Sequence, residues 1–183
     1  MPPKPKGVSP ASASPAELVG MLTGLALKSA RMALGCLKRW EELEQFGRGV
    51  ANIAALREAG GSAAVVGVMD MHRTDPAIAE RACRAIGTLA HGELGNKQQV
   101  IQSGAVISVI AAMGAHPGIV AVQVQGLVAL ANLAAGDDGC KDALISAGAC
   151  DACASVAVRF PEDATMQVQA MRLLANLTAS KPE

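Results

Sequence analysis

The sequence repeats itself with a period of 44 residues. A shift of the chain by 44 positions superimposes three glycines: Gly60, Gly104 and Gly148. The same shift superimposes three apolar segments, which read IAERACRAIGTLA, VQVQGLVALANLA and MQVQAMRLLANLT. Self-similarity at this period is typical of solenoids, in which each unit buries its apolar face only against its neighbours. The sequence therefore predicts a stack of units.

Each unit is predicted to contain three helices. In the middle unit a short helix over 96–103 ends before a glycine, a second helix covers 105–115, and a long third helix follows a His-Pro break. A Gly-Asp-Asp-Gly segment at 136–139 provides a turn and an aspartate N-cap for the next unit. Three such units of 44 residues fill 49–183.

The chain before the repeats divides into a tail and a helical segment. Residues 1–13 are rich in Pro, Ser and Ala without apolar periodicity, which predicts a disordered tail. Ser14, Pro15 and Glu17 have the pattern of a capped helix start. Apolar residues then recur at spacings of three and four, so 14–48 is predicted to be an N-terminal helical cap or a degenerate repeat.

Composition and charge exclude several classes of function. Hydrophobic residues make up 51% of the chain and aromatic residues only 2%, which favours close-packed helices. Sixteen Lys and Arg balance sixteen Asp and Glu, so no net field attracts nucleic acid or anionic lipid, and neither is an expected partner. The charge-free run over 98–136 is interrupted by Gly and Pro, and its second part carries three amide side chains, so we expect a buried helix pair and no membrane span.

Cysteine usage indicates a reducing compartment and no metal site. The five cysteines are irregularly spaced: Cys36, Cys83, Cys140, Cys150 and Cys153. An odd number with no apolar leader segment favours an intracellular protein, in the cytoplasm or alternatively the nucleus. The Cys-x-x-Cys pair at 150–153 lacks the further ligands that structural zinc requires, so buried free thiols are expected.

No pattern in the sequence predicts catalysis or a cofactor. Neither a dinucleotide-binding glycine pattern after a strand nor a P-loop occurs. Glu41 and Glu42 are predicted to lie in an exposed helical run. His72 and His116 occupy the same repeat position, next to the end of a second helix, where a donor can meet free carbonyl groups. We therefore expect no enzyme.

The motif GAVISVIAAMGAHP followed by VQVQGLVALANLAAG resembles the armadillo repeat, over about residues 50–178. HEAT-type repeats are the near alternative. The resemblance implies an all-α fold, a right-handed superhelical solenoid (α-α superhelix) of armadillo-like three-helix repeats. It also implies that the third helices line a concave groove in which extended peptides lie.

The resemblance implies a ladder of asparagines along this groove. The family's asparagine, whose amide grips the backbone of a bound peptide, corresponds to Asn132 and Asn176, with Thr88 in the first copy. An amide suits this role because it both donates and accepts hydrogen bonds. The alternative is a structural amide that only caps or solvates its helix.

Six further positions complete the implied groove. They are Arg84, Val128 and Arg172, four residues before the ladder, and Arg81, Gln125 and Gln169, one turn earlier. The family's nuclear-import adaptors have Trp at the first set, so the chain departs from a receptor for nuclear-localisation signals. With three arginines and no carboxylate at these positions, the predicted ligand is an acidic or polar peptide. Solvated surface arginines are the alternative.

The predicted function is a non-catalytic scaffold that binds a partner peptide or helix along the third helices. Met171 and Leu174 lie on an apolar side of the last unit with no polar capping helix behind it, although terminal repeats normally need a polar outer face. The alternatives are therefore a fragment of a longer solenoid, a subunit that stacks end to end with another copy, or the targeting module of a larger kinase or ubiquitin-ligase assembly. Binding by the convex face is a further alternative.

Overall fold

A computed structural model of the chain describes residues 9–45 and 49–179, and all regular structure within these ranges is helical. A short 3-10 helix, Pro10–Ser12, precedes the α-helices. The α-helices are α1 Pro15–Thr23, α2 Leu25–Lys28, α3 Ala30–Gln45, α4 Gly49–Glu58, α5 Gly61–Met71, α6 Pro76–Leu89, α7 Leu94–Gln102, α8 Ala105–Ala115, α9 Val120–Ala134, α10 Asp138–Ser146, α11 Ala149–Arg159 and α12 Ala164–Thr178. The prediction of an all-α chain is confirmed for these residues.

Helices α4 to α12 form three units of three helices. The third helices lie side by side, with α6 packed along α9 and α9 packed along α12. The second helices follow the same order, since α5 contacts α8 and α8 contacts α11. Each unit therefore packs against its immediate neighbours, as the 44-residue period predicts.

The glycines that reveal the repeat stand at the corner between first and second helices. Gly60, Gly104 and Gly148 have φ angles of 86°, 84° and 89°, which lie in the left-handed region. A residue with a Cβ is strained there, whereas glycine is not. The corner that turns each first helix into its second helix thus requires the residue that the repeat preserves.

Helices α1 to α3 extend the stack at its N-terminal end. α1 packs on α5 and α3 packs on α6, which are the places of the second and third helices of a preceding unit. The expected capping box is present, because Ser14 Oγ accepts from Glu17 N at 3.4 Å and the Glu17 carboxylate accepts from Ser14 N at 2.9 Å. The backbone hydrogen bond from Ser14 lowers the pKa of Glu17.

Ordered structure begins before the point that the sequence predicts. The predicted tail covers 1–13, of which 1–8 lie outside the described residues. The remainder folds back onto α3: Ala13 is fully buried, and its carbonyl accepts a hydrogen bond from Arg39 Nε at 3.4 Å. This short segment packs without an apolar repeat, so periodicity gave no signal for it.

Glutamines near the start of two third helices close the second helices that precede them. Gln123 Nε2 donates to the carbonyl oxygens of Met113 and His116 at 2.8 and 2.9 Å, in a buried position. Gln167, 44 residues later, makes the corresponding two bonds in the last unit. These side chains satisfy carbonyl groups that have no partner within their own helix.

The two repeated histidines connect adjacent layers of the stack. His116 Nε2 lies 3.0 Å from the carbonyl oxygen of Arg73, and His72 Nε2 lies 2.7 Å from that of Ala26. Both carbonyl groups belong to the part of the stack that precedes the unit of the histidine, so each histidine contacts the backbone of the neighbouring unit or cap. The sequence predicts that these histidines contact carbonyl groups near a helix end. The structure adds that the carbonyl groups belong to the neighbouring unit or cap.

Within the described residues, no single helix is long and apolar enough to cross a membrane. The bent pair α7 and α8, which meet at 65°, reaches the required length and composition only when the two helices are taken together.

All five cysteines are free, and four of them are buried. Burial raises the pKa of Cys83 to about 12 and the pKa of Cys36 and Cys140 to about 11. Burial likewise raises the pKa of Cys153, whereas Cys150 is exposed. Since the thiolate is the reactive form, the buried thiols are poor nucleophiles at neutral pH.

The free thiols should differ sharply in reactivity. We expect Cys150 to react first and alone with a thiol-specific reagent at neutral pH under native conditions, and all five to react after unfolding. Mass spectrometry of the labelled chain, followed by peptide mapping, measures this. Rapid native labelling of Cys83 or Cys36 would contradict the packing described above.

Two glycine substitutions should change stability in opposite directions. A Cβ at Gly61 would lie 2.6 Å from Leu56 O and 2.6 Å from Trp40 Cη2, whereas a Cβ at Gly20 has nothing within 4 Å. We expect Gly61→Ala to lower the free energy of unfolding by roughly 1–3 kcal/mol through overpacking. Gly20→Ala, inside α1, should raise it by roughly 0.5–1 kcal/mol. Urea unfolding followed by far-UV circular dichroism measures both, and equal midpoints would refute the expectation.

Candidate binding face

The nine predicted site residues lie on one surface formed by three adjacent helices, here called the third-helix face. They are Arg81, Arg84 and Thr88 on α6, Gln125, Val128 and Asn132 on α9, and Gln169, Arg172 and Asn176 on α12. Spacings of three and four place the residues of each helix on the same side of it. All nine side chains are exposed or half-buried, so the structure brings them together on an accessible surface.

Both asparagines of the implied ladder bond to the preceding third helix. Asn132 Nδ2 donates to the carbonyl oxygen of Gly87 at 3.0 Å, and Asn176 Nδ2 donates to that of Ala131 at 2.8 Å. The two bonds are equivalent by the 44-residue period. Each asparagine therefore uses one amide hydrogen to join two units, which differs from the capping or solvation of its own helix that the sequence left open as an alternative.

Close approach of the helices makes these bonds geometrically accessible. A Cβ on Gly87 would lie 3.4 Å from Ala129 Cα, so α6 and α9 touch almost backbone to backbone at this point. Ala131, another small residue, occupies the equivalent position on α9. Small residues at the contact bring the carbonyl of one helix within reach of a short amide on the next.

The side-chain oxygens of Asn132 and Asn176 differ in their hydrogen-bond donors. Arg172 donates to Asn132 Oδ1 at 2.7 Å, so both ends of the Asn132 amide are engaged. No described residue donates to Asn176 Oδ1. The Thr88 hydroxyl bonds to the carbonyl of Arg84 in its own helix at 3.1 Å, so the first copy lacks the link between units.

A single carboxylate on α3 pairs with two of the three arginines. Arg81 Nη1 lies 2.5 Å from one oxygen of Glu41, and Arg84 Nη1 lies 3.7 Å from the other. The side chain of Glu41 is 16% exposed, so the expectation that it lies in an exposed run is wrong. It reaches the third-helix face from α3, and the face is less basic than its nine residues alone indicate.

Repeat analysis missed Glu41 for a physical reason. The N-terminal cap does not follow the 44-residue period. The shift that aligns the other site residues therefore assigns no equivalent position to the residues of α3. The signal in the sequence is limited to the spacing of Arg81 and Arg84, which places both one turn apart on the same side of one helix. Deciding which carboxylate meets them requires the structure.

A buried acceptor lies beside the exposed polar groups. Gln169 Oε1 is buried and has no hydrogen-bond partner among the described residues. A buried polar atom without a partner costs about 1–3 kcal/mol. No described group of His, Cys, Asp and Glu side chains has the arrangement of a metal site. The face thus offers amides, one arginine without a carboxylate partner in the described structure, and an apolar side chain, Val128.

Comparison with solved structures identifies the fold. The chain is similar to a crystal structure of an engineered protein from the Northeast Structural Genomics Consortium, with a TM-score of 0.75 and 23% identity over 89% of this chain and 37% of that one. It is similar to a designed armadillo repeat protein, with a TM-score of 0.74 and 22% identity over 89% of this chain and 64% of the other. A designed armadillo repeat protein in complex with the peptide (KR)4 gives a TM-score of 0.74 and 21% identity over 88% and 63%.

The chain spans 37% to 64% of the length of these three structures. No family model matches the sequence. No curated protein matches it either. The three-helix units, their shared packing and the likeness to designed armadillo repeat proteins together show that the chain has an armadillo-like repeat fold, an α-helical solenoid.

Proposed function

We propose that the chain is a non-catalytic scaffold that binds an extended peptide, or a helix of a partner protein, across the third-helix face. The observation that carries the proposal is the row of accessible polar side chains repeated in register on α6, α9 and α12. The peptide complex of a designed armadillo repeat protein shows that such a fold can bind a peptide.

The charges on the face indicate the class of ligand. Because the single carboxylate of Glu41 pairs with both Arg81 and Arg84, the α6 part of the face keeps only one of its two positive charges. Arg172 is exposed and bonds to a neutral amide, so it can take a carboxylate. We infer a mostly neutral, polar peptide with one acidic residue beside α12. This narrows the acidic or polar ligand predicted from three arginines.

Catalysis is no part of the proposal. Two histidines that could serve as acid or base are already engaged by backbone carbonyls between layers, and four thiols are buried. The buried, unpaired thiols also support a reducing, intracellular location in the cytoplasm or nucleus. A role as the targeting module of a larger kinase or ubiquitin-ligase assembly would use the same face.

A second candidate function is a structural subunit within a longer armadillo-like solenoid. Met171 and Leu174 on the last third helix favour it, because both side chains are exposed. This candidate and the scaffold are compatible, since the end of the stack and the third-helix face are different surfaces.

Peptide binding can be located by two matched substitutions. Peptides selected from a random library on the wild-type chain should bind at least about tenfold more weakly to Val128→Glu, a loss of about 1.4 kcal/mol. The new carboxylate lies in the centre of the third-helix face and repels an acidic ligand. Ile107→Glu, on the exposed side of α8, should bind as the wild type does. Fluorescence anisotropy measures the affinities, and circular dichroism checks the fold of each variant.

The same experiment tests the role of Arg172. Arg172→Gln should weaken only those selected peptides that contain Asp or Glu, and the salt dependence of their binding should decrease. Selection of no common peptide, or equal losses in the α8 and α9 variants, would refute binding at this face.

Asn132 should contribute to stability even without a ligand. Asn132→Ala removes the bond to Gly87 O and the acceptor for Arg172, so we expect the free energy of unfolding to fall by roughly 1–2 kcal/mol. Gln125→Ala, on the same helix and without a hydrogen bond to a described residue, should change it by less than about 0.5 kcal/mol. Urea unfolding measures both. Equal stability of the two variants would show that the link between units contributes nothing.

A further inference from the structure

The chain contains two Ser-Pro dipeptides, Ser9-Pro10 and Ser14-Pro15. Both serines are exposed, and both have an extended backbone conformation, which a residue before proline favours. An exposed, extended serine followed by proline is the form of substrate that proline-directed protein kinases accept. The side chains around the two hydroxyl groups differ, and this difference separates the two serines.

Ser9 lines a basic cavity of about 420 Å³ between the 3-10 helix and α3. Arg31, Lys38 and Arg39 contribute three cations to its wall, and Glu42 is the only carboxylate among its lining residues. That carboxylate already pairs with Arg39 at 3.2 Å. Arg31 and Lys38 are exposed and have no ion-pair partner among the described residues. The cavity therefore holds two cations without a counter-charge.

The segment that carries Ser9 already packs on α3. The ring of Pro10 lies against Gly35, where an added Cβ would be 3.5 Å from Pro10 Cγ. Ala13, at the other end of the segment, is fully buried. The N–H groups of Ser12 and Ala13 each donate to the carbonyl oxygen three residues earlier, at 3.1 and 3.3 Å. The backbone at Ser9 is therefore held beside the cavity.

The hydroxyl of Ser14 has different surroundings. It donates to the Glu17 carboxylate at 2.7 Å and accepts from Glu17 N at 3.4 Å, as part of the capping box. A phosphate on Ser14 would lose the first of these bonds and would face a like charge. The Ser9 hydroxyl makes no capping hydrogen bond, and a phosphate on it would face cations. The neighbouring side chains thus favour a phosphate at Ser9 and disfavour one at Ser14.

We propose that Ser9 is a phosphorylation site for a proline-directed protein kinase, and that its phosphate pairs with Arg31 and Lys38 on α3. The kinase transfers the γ-phosphoryl group of ATP to Ser9 Oγ. The Oγ–P bond forms, the bond from this phosphorus to the β–γ bridging oxygen breaks, and ADP and the hydroxyl proton leave. The phosphate carries a charge of about −1.5 to −2 at neutral pH and three acceptor oxygens, so both cations can bond to it. The modification holds the segment 9–13 more firmly on α3.

Hydrogen exchange resolved by NMR tests the pairing on full chains that carry phosphoserine incorporated at a single position. Phosphoserine at position 9 should slow exchange of the Ser12 and Ala13 amides about fivefold relative to the unmodified chain, because the phosphate opposes release of the segment. Arg31→Ala combined with Lys38→Ala should abolish this slowing. Phosphoserine at position 14 is the matched control. There the double substitution should change exchange no more than it does in the unmodified chain.

Incubation of the full chain with ATP and a proline-directed kinase of the mitogen-activated type tests the modification itself. We expect one phosphate, which tandem mass spectrometry maps to Ser9, and almost none on the Ser9→Ala chain. No incorporation, or incorporation mainly at Ser14, would overturn Ser9 as the site. Exchange that phosphoserine at position 9 does not slow, or slows equally without Arg31 and Lys38, would overturn the pairing. Neither measurement depends on peptide binding at the third-helix face.

Discussion

The contact between consecutive third helices is the interaction on which the rest of the structure depends. Burial of one Leu side chain contributes about 1.5–3 kcal/mol, and α9 buries Leu127, Leu130 and Leu133 completely. Gly87 lets α6 approach α9 almost to backbone contact. A solenoid has no central core, since each unit is stabilised only by its contacts with neighbouring units. The charge-free run over 98–136 is a direct consequence, because the helices of the middle unit are covered on both sides.

The same contact explains why the candidate site looks as it does. Once the helices touch, a short amide on one helix can bond to a backbone carbonyl of the previous one, and Asn132 and Asn176 do so. This fixes the amide and leaves Oδ1 and the second Nδ2 hydrogen for a ligand. On Asn176 that oxygen has no described donor, whereas on Asn132 it is held by Arg172. A ligand that takes the place of Arg172 at Asn132 Oδ1 displaces this arginine. A carboxylate on the ligand would then replace the hydrogen bond that Arg172 loses.

Most of the fold could be predicted from the sequence because the same pattern occurs three times, and each copy supports the interpretation of the others. Three copies of one pattern predict the helices, the glycines between first and second helices, and the stacking of the units. The Asp caps and the Ser14 capping box were predictable for a similar reason, since they depend on residues a few positions apart. The position of the nine site residues on one face followed from period and resemblance together.

What escaped prediction lies where the repeat ends or where contacts cross layers. The segment 9–13 packs on α3 through proline and alanine, which have no periodic signature. Glu41 belongs to a cap that does not follow the period, so its pairing with Arg81 and Arg84 was invisible in the alignment, and the face was taken as more basic than it is. The link from Asn132 to Gly87 joins residues 45 positions apart, and only the helix packing shows that the amide faces the neighbouring helix.

The two ends of the stack differ because a repeat copies its contact surfaces together with its fold. Every unit presents one side to the preceding unit and the other to the following one, so a terminal unit exposes an apolar side unless its sequence departs from the pattern. At the N-terminal end it does depart: a proline segment covers α3, and Arg31 and Lys38 of α3 are exposed. At α12 the pattern is kept, and Met171 and Leu174 stand where leucines are buried one unit earlier. Exposed apolar surface of this kind is typical of a face that contacts another surface, and here it has the composition of a contact between units.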